Sequence, residues 1–250
     1  MVVIDRVALV PQPPLLVPEL VPGVLRETGA VREAAEEAVR WLRGEADRWL
    51  AVGPGDGESC GHYEPWRHGS FVGFGADVRV SLADPDDTAP GEVTADLPLP
   101  VLMTGWLRAR AGVARAAVEV VDAGCAPEEC ARLGRRLGRR DERAGLLVLG
   151  DGSTRHGQRA PGGPDDRAAG FDETVAAALG EVDLEALGSL DAAEAAELGA
   201  SGRATWQVAV GMARSRAVGD AEDDRKWRGE MLYSGAPFGV GYHVAIWERV

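Results

Sequence analysis

The chain has 250 residues, of which 45% are hydrophobic and 27% charged, and a formal net charge of −13. That length can bury one sizeable core, so a single domain over 1–250 is expected, and the acidic surplus works against a phosphate backbone, where affinity comes from lysine and arginine displacing counterions. No apolar run approaches a bilayer span, and Met1-Val2-Val3-Ile4-Asp5-Arg6 lacks the basic and apolar regions of a signal peptide, so the expectation is a cytoplasmic protein with neither membrane nor nucleic acid as partner.

Arg6 to Val10 reads as a buried first strand, stopped by Pro11-Gln12-Pro13-Pro14, where proline removes ladder donors. From Val24 to Leu50 the positions Leu25, Val31, Ala35, Ala38, Leu42, Ala46 and Trp49 recur at helical spacing, which predicts an amphipathic helix broken near Gly44. Trp49 to Gly53 begins a second strand, and a Gly-rich loop runs on through His68. Asp77 to Leu82 alternates as a short strand, and an acidic loop follows over Ala83 to Asp96. Next come a helix over Leu97 to Arg110, a strand over Ala116 to Val121, a helix over Pro127 to Arg140 and a fully apolar strand at Gly145 to Leu149. Gly150 to Gly170 is a long Gly/Pro/Asp-rich connection of the kind that often carries function. Helices are expected at Phe171–Leu179, Asp191–Leu198 and Arg203–Ala213, and a C-terminal β-hairpin pairs Glu230–Tyr233 with Val240–Trp247. Alternation of strands and helices predicts an α/β fold: a central, largely parallel or mixed sheet with helices on both faces and the hairpin at its edge.

Few residues are suited to chemistry. The three cysteines, Cys60, Cys125 and Cys130, read as free thiols, since Cys125 and Cys130 have no second pair to complete a zinc site. The four histidines are at 62, 68, 156 and 243. His156 follows a buried strand through Gly150-Asp151-Gly152-Ser153-Thr154-Arg155, the place where open α/β sheets bind ligands. An imidazole there is a candidate general acid or base, and an exposed loop histidine is the alternative. His62 and His68, with Asp56, offer nitrogen and carboxylate donors within one loop, although a Gly-rich loop supplies no rigid second layer of contacts for a metal. His243 either faces a pocket or pairs within the sheet, and its alternation in Gly241-Tyr242-His243-Val244-Ala245 favours the sheet. Gly53-x-Gly55-x-Gly57 has the wrong spacing for a dinucleotide loop, and neither Ser59 nor Ser153 sits in a nucleophile elbow.

Three segments in common order, spanning nearly the whole chain, resemble the actinobacterial branch of the subunit-B-like class III extradiol ring-cleavage dioxygenases. They are Pro11-Gln12-Pro13-Pro14-Leu15-Leu16-Val17-Pro18-Glu19; Gly150 to His156 with Arg159-Ala160-Pro161-Gly162, Asp166-Arg167 and Phe171-Asp172; and Ala236-Pro237-Phe238-Gly239-Val240-Gly241-Tyr242-His243-Val244-Ala245. The resemblance implies O2-dependent ring cleavage of a catechol-type substrate at Fe(II) held by two histidines and a glutamate, with association into homo-oligomers or with a small partner chain. It also implies departures. The first iron histidine is replaced by Gln12, the second position falls at Gly55 or Asp56, and the glutamate position one turn before Trp206 is Gly202, with Glu197 nearby. Iron is therefore expected to be lost, or held by a rearranged set such as Asp56, His62 and His68. His156 matches the family's proton-moving histidine. Asp151 and Arg155 then either polarise or anchor a small phenolic or aromatic ligand as a charged pair, or are turn and surface residues, with Asp151-Gly152 satisfying turn geometry. Gln12, Pro13, Trp206, Tyr242 and His243 are the expected substrate-side residues. The alternatives are a metal-independent binding protein or enzyme relying on His156, and a non-catalytic accessory subunit.

Overall fold

The computed structural model describes residues 4–24, 26–44, 46–84, 96–139, 143–215 and 226–250. Nine strands and seven helices are formed among them: β1 (Arg6–Val10), α1 (Gly29–Arg43), β2 (Arg48–Gly55), β3 (Gly61–Tyr63), β4 (His68–Ser70), β5 (Arg79–Ser81), α2 (Leu99–Ala111), β6 (Arg115–Asp122), α3 (Pro127–Leu137), β7 (Gly145–Leu149), α4 (Arg167–Glu181), α5 (Leu184–Gly188), α6 (Ala192–Leu198), α7 (Arg203–Ala213), β8 (Trp227–Gly235) and β9 (Tyr242–Arg249). Seven strands make one sheet in the order β3-β6-β2-β7-β1-β9-β8, and β4 pairs with β5 in a separate ribbon. The central ladders β6-β2, β2-β7 and β7-β1 are parallel, while β3, β9 and β8 join antiparallel. The mixed α/β architecture with a C-terminal hairpin is thus present.

Strand pleat divides the core. Ala8, Val10, Leu147 and Leu149 pack toward α1 and α2, while Val7, Leu9, Leu146 and Val148 pack toward α3, α4 and α7. Both faces being covered explains why β1 and β7 are continuous apolar runs instead of alternating ones. On the second face α3 and α7 meet at backbone distance. A Cβ on Gly134 would lie 2.6 Å from the Met212 nitrogen, and one on Gly211 2.7 Å from the Ala131 Cα, so glycine is what allows the approach.

Several boundaries differ from expectation. α1 ends at Arg43 because Gly44 turns to φ 40°, so Ala46 lies outside the helix and Trp49 belongs to β2, buried in the sheet. The stretch expected as one loop through His68 contains β3, which pairs with the edge of β6, and β4. These short strands have little apolar alternation to announce them; their partners create them. α4 begins at Arg167, earlier than Phe171, and α5, capped by the Asp183 carboxylate on the Glu185 and Ala186 N–H groups, was not anticipated. The acidic loop expected over Ala83 to Asp96 falls largely on 85–95, outside the described residues, as do Leu25 and Arg140. Among the described residues no helix is long and apolar enough to cross a membrane.

Candidate functional site

Parallel pairing sets Val10 beside Leu149, so the turns that follow β1 and β7 leave the sheet at the same rim. Antiparallel β9 enters there, bringing Tyr242 and His243. Three backbone-level links fasten the rim. The Gln12 N–H donates to Asp151 Oδ1 at 2.9 Å, the Gly152 N–H to the Gly241 carbonyl at 2.8 Å, and the His156 N–H to the Gly239 carbonyl at 3.1 Å. The turns carrying Gln12 and His156 therefore converge at one rim.

Asp172 organises the centre. It lies in the second turn of α4 and is 5% exposed, between Ala168 and Val175 on the helix face that otherwise packs in the core. Its carboxylate accepts the Ser153 N–H at 3.1 Å, and Oδ2 is 2.5 Å from His156 Nε2. Oδ1 is 3.4 Å from His243 Nε2, an approach too oblique for a full hydrogen bond, while His243 Nδ1 is 3.0 Å from the Ser234 hydroxyl. With Asp172 ionised, both imidazoles turn an Nε2–H toward it, Ser234 donates to Nδ1 of His243, and Nδ1 of His156 is left as an acceptor. The His156 side chain is 19% exposed, against 2% for that of His243, so His156 is the member a ligand reaches first. Glycines make room. A Cβ on Gly152 or on Gly241 would collide with the Asp172 carboxylate.

Beside this cluster, burial pushes the Asp151 carboxyl up to about 7, opposed only by the Gln12 N–H. Part of its surface still meets solvent. Burial, reinforced by Asp151 and Tyr233, holds the Tyr242 phenol protonated well above its ordinary range. The Gln12 side-chain oxygen is buried without a hydrogen-bond partner among the described residues, which leaves one acceptor unfilled at the rim.

The remaining expected residues divide. Trp206 packs in the second core cluster with its ring edge-on to His243, centroids 6.3 Å apart, and so it supports the histidine from behind. Pro13 opens the 3-10 turn over Pro14–Leu16, its carbonyl accepting the Leu16 N–H at 3.1 Å. Arg155 is engaged within the loop. Its guanidinium donates to the Glu197 carbonyl at 2.9 Å and the Gly163 carbonyl at 3.4 Å, so it staples the loop to α6 and forms no ion pair with Asp151. His62 engages Glu119 at 3.1 Å and Glu64 at 3.4 Å along β3, whereas His68 lies in the β4–β5 ribbon with Nδ1 3.2 Å from the Trp66 carbonyl. Asp56 is turned into its own loop, accepting the Ser59 N–H at 3.0 Å, and the Ser59 hydroxyl, followed by that N–H, holds its carboxyl below the usual range. These three do not assemble, and among the described residues no group of three or more His, Cys, Asp or Glu side chains is placed to hold a metal ion.

The iron positions implied by the resemblance do not fit ferrous iron here. Gln12 offers a neutral amide, Asp56 is engaged with Ser59, and a Cβ on Gly202 would lie 2.6 Å from Trp206 Cε2, so a glutamate there would displace the indole. Glu197 is no substitute, because its carboxylate is 60% exposed and pairs with Arg167 at 2.9 Å. Sequence reading gave Asp172 no role. The signal that marks it is an acid on the apolar face of a helix, since buried carboxylates are rare unless partnered.

No family profile and no curated protein matches the chain in sequence. Its fold is similar to that of the uncharacterized protein JW3007 from Escherichia coli K12, with a TM-score of 0.57 and 12% identity over 98% of this chain and 99% of that one.

Proposed function

We propose that this chain is a diverged relative of the class III extradiol dioxygenases that takes a small phenolic or other aromatic ligand at the β1–β7 rim and acts on it without iron. His156 is the acid/base. The observation that carries the reading is the 2.5 Å contact between Asp172 Oδ2 and His156 Nε2; the resemblance assigns the metal-ligand positions to Gln12, to Gly55 or Asp56, and to Gly202. A buried carboxylate on one ring nitrogen fixes the tautomer and makes the other nitrogen a better base. A ligand hydroxyl gives its proton to Nδ1 of His156, and the imidazolium so formed is stabilised by Asp172. Nothing is oxidised in this step. The open acceptor of Gln12 suits a second hydroxyl on the ligand.

The test is binding of catechol, followed by calorimetry, to protein whose metal content has been measured before and after chelation. Affinity unchanged by chelation and reduced about tenfold or more in His156→Ala supports the reading. One iron per chain, with binding lost on chelation, overturns it.

A further inference from the structure

The seven-stranded sheet has two edges, β3 and β8. β3 is three residues long, whereas β8 runs for nine, with α1 and α4 packed against it. One side of β8 is taken by β9. Lys226 and Val250 exchange both backbone N–H to carbonyl bonds at 2.8 Å, and antiparallel alternation gives the same pairing to Arg228 with Glu248 and to Glu230 with Ile246. The N–H and C=O groups of Trp227, Gly229 and Met231 therefore point away from β9, and among the described residues no strand receives them. Such a row of open donors and acceptors is a template for another strand. The register shift between Met231 and Tyr233 sets where regular pairing along that edge stops.

Side chains decide which strand fits. A second β8 laid antiparallel, with Gly229 opposite Gly229, matches the open groups of 227, 229 and 231 with one another. In that register Arg228 of each copy stands opposite Glu230 of the other, on the face where Ile246 packs toward α1. The Arg228 side chain is 71% exposed while touching Glu248 at 3.1 Å, so its fork has room for a second carboxylate. Glu230 is exposed and makes no ion pair among the described residues. On the opposite face Trp227 stands against Met231 of the other copy. Both are half-buried at the margin of the second core cluster, and a thioether beside an indole is a favourable contact. An edge bearing one sign of charge repels its own copy, whereas Arg228-Gly229-Glu230 centred on a two-fold axis attracts it.

We propose that two copies of this chain form a two-fold dimer by antiparallel pairing of β8 with β8, which joins their two sheets into one. The pairing uses neither His156 nor Asp172, so it stands or falls independently of the function proposed above.

Sedimentation equilibrium of the full chain at concentrations up to about 100 μM tests it. The parent is expected to dimerise, and Glu230→Arg and Arg228→Glu each to weaken self-association about tenfold or more, because each sets like charges opposite one another across the axis. An equimolar mixture of the two variants restores both opposite-charge pairs. A one-to-one dimer of the variants is therefore expected, recognised in native mass spectrometry by its intermediate mass. Its recovery also shows that neither variant lost association by misfolding. A parent that stays monomeric at the highest concentration, variants that dimerise as the parent does, or a mixture that remains dissociated overturns the proposal.

Discussion

Asp172 of α4 and His156 of the loop after β7 are 16 residues apart in the chain, yet Oδ2 of one is 2.5 Å from Nε2 of the other. The same carboxylate accepts the Ser153 N–H and faces His243. Replacing it with an amide places an NH2 group against donors. Asp172→Asn is expected to cost about 1–3 kcal/mol of stability, because a buried donor is left unmatched, and to abolish the preference of His156 for the Nε2–H tautomer. Denaturant unfolding and imidazole nitrogen chemical shifts measure the two effects; an unchanged tautomer would show that the carboxylate does not set the ring.

The Asp151 carboxyl titrates near 7, raised by burial from an ordinary value of 3.8. Between those values the folded state holds a proton that the unfolded chain has released, so its contribution to stability is complete below about pH 4 and fades as pH rises through about 7. The slope is at most about 1.4 kcal/mol per pH unit. Asp151→Asn keeps a neutral group in place and removes this dependence. Its unfolding midpoint should exceed that of the parent at pH 8 and approach it at pH 5, provided the amide oxygen still accepts the Gln12 N–H. A variant with the parent's full pH profile would show that another group is responsible.

On the reading proposed above, introducing one histidine at Gln12 does not make an iron site when no other donors are placed beside it among the described residues. Gln12→His is expected to leave iron below stoichiometry in elemental analysis after loading with ferrous salt. Gly202→Glu, by contrast, should broaden or shift the Trp206 fluorescence and lower the melting temperature, since the new Cβ meets the indole. Stoichiometric iron in the single Gln12 variant would contradict the account of the donor set given above.

The backbone contact between α3 and α7 predicts that Gly134→Ala and Gly211→Ala each destabilise the chain by about 1–3 kcal/mol through overpacking. Gly170→Ala, on α4 with open space around the added methyl, serves as the control and should be neutral or slightly stabilising. Equal midpoints for all three in denaturant would mean that the helices separate to accommodate a methyl without cost.

Period and composition alone determined much of this protein. Apolar runs at Arg6–Val10 and Gly145–Leu149, helical spacing in α1 and the Gly–Pro punctuation around β9 reflect local sterics and burial, which neighbouring residues encode. So did the place of His156, because a polar turn after a buried strand opens at a sheet's carboxyl end. What only tertiary structure decided was which side chains meet. Arg155 and Asp151 are four residues apart and do not pair, while Asp172, Ser153 and His243 meet from three elements. Hydrogen bonds act over about 3 Å in space, irrespective of separation along the chain. A list of candidate residues therefore becomes a site, or a staple such as Arg155, only when strand order and helix packing fix the distances between them.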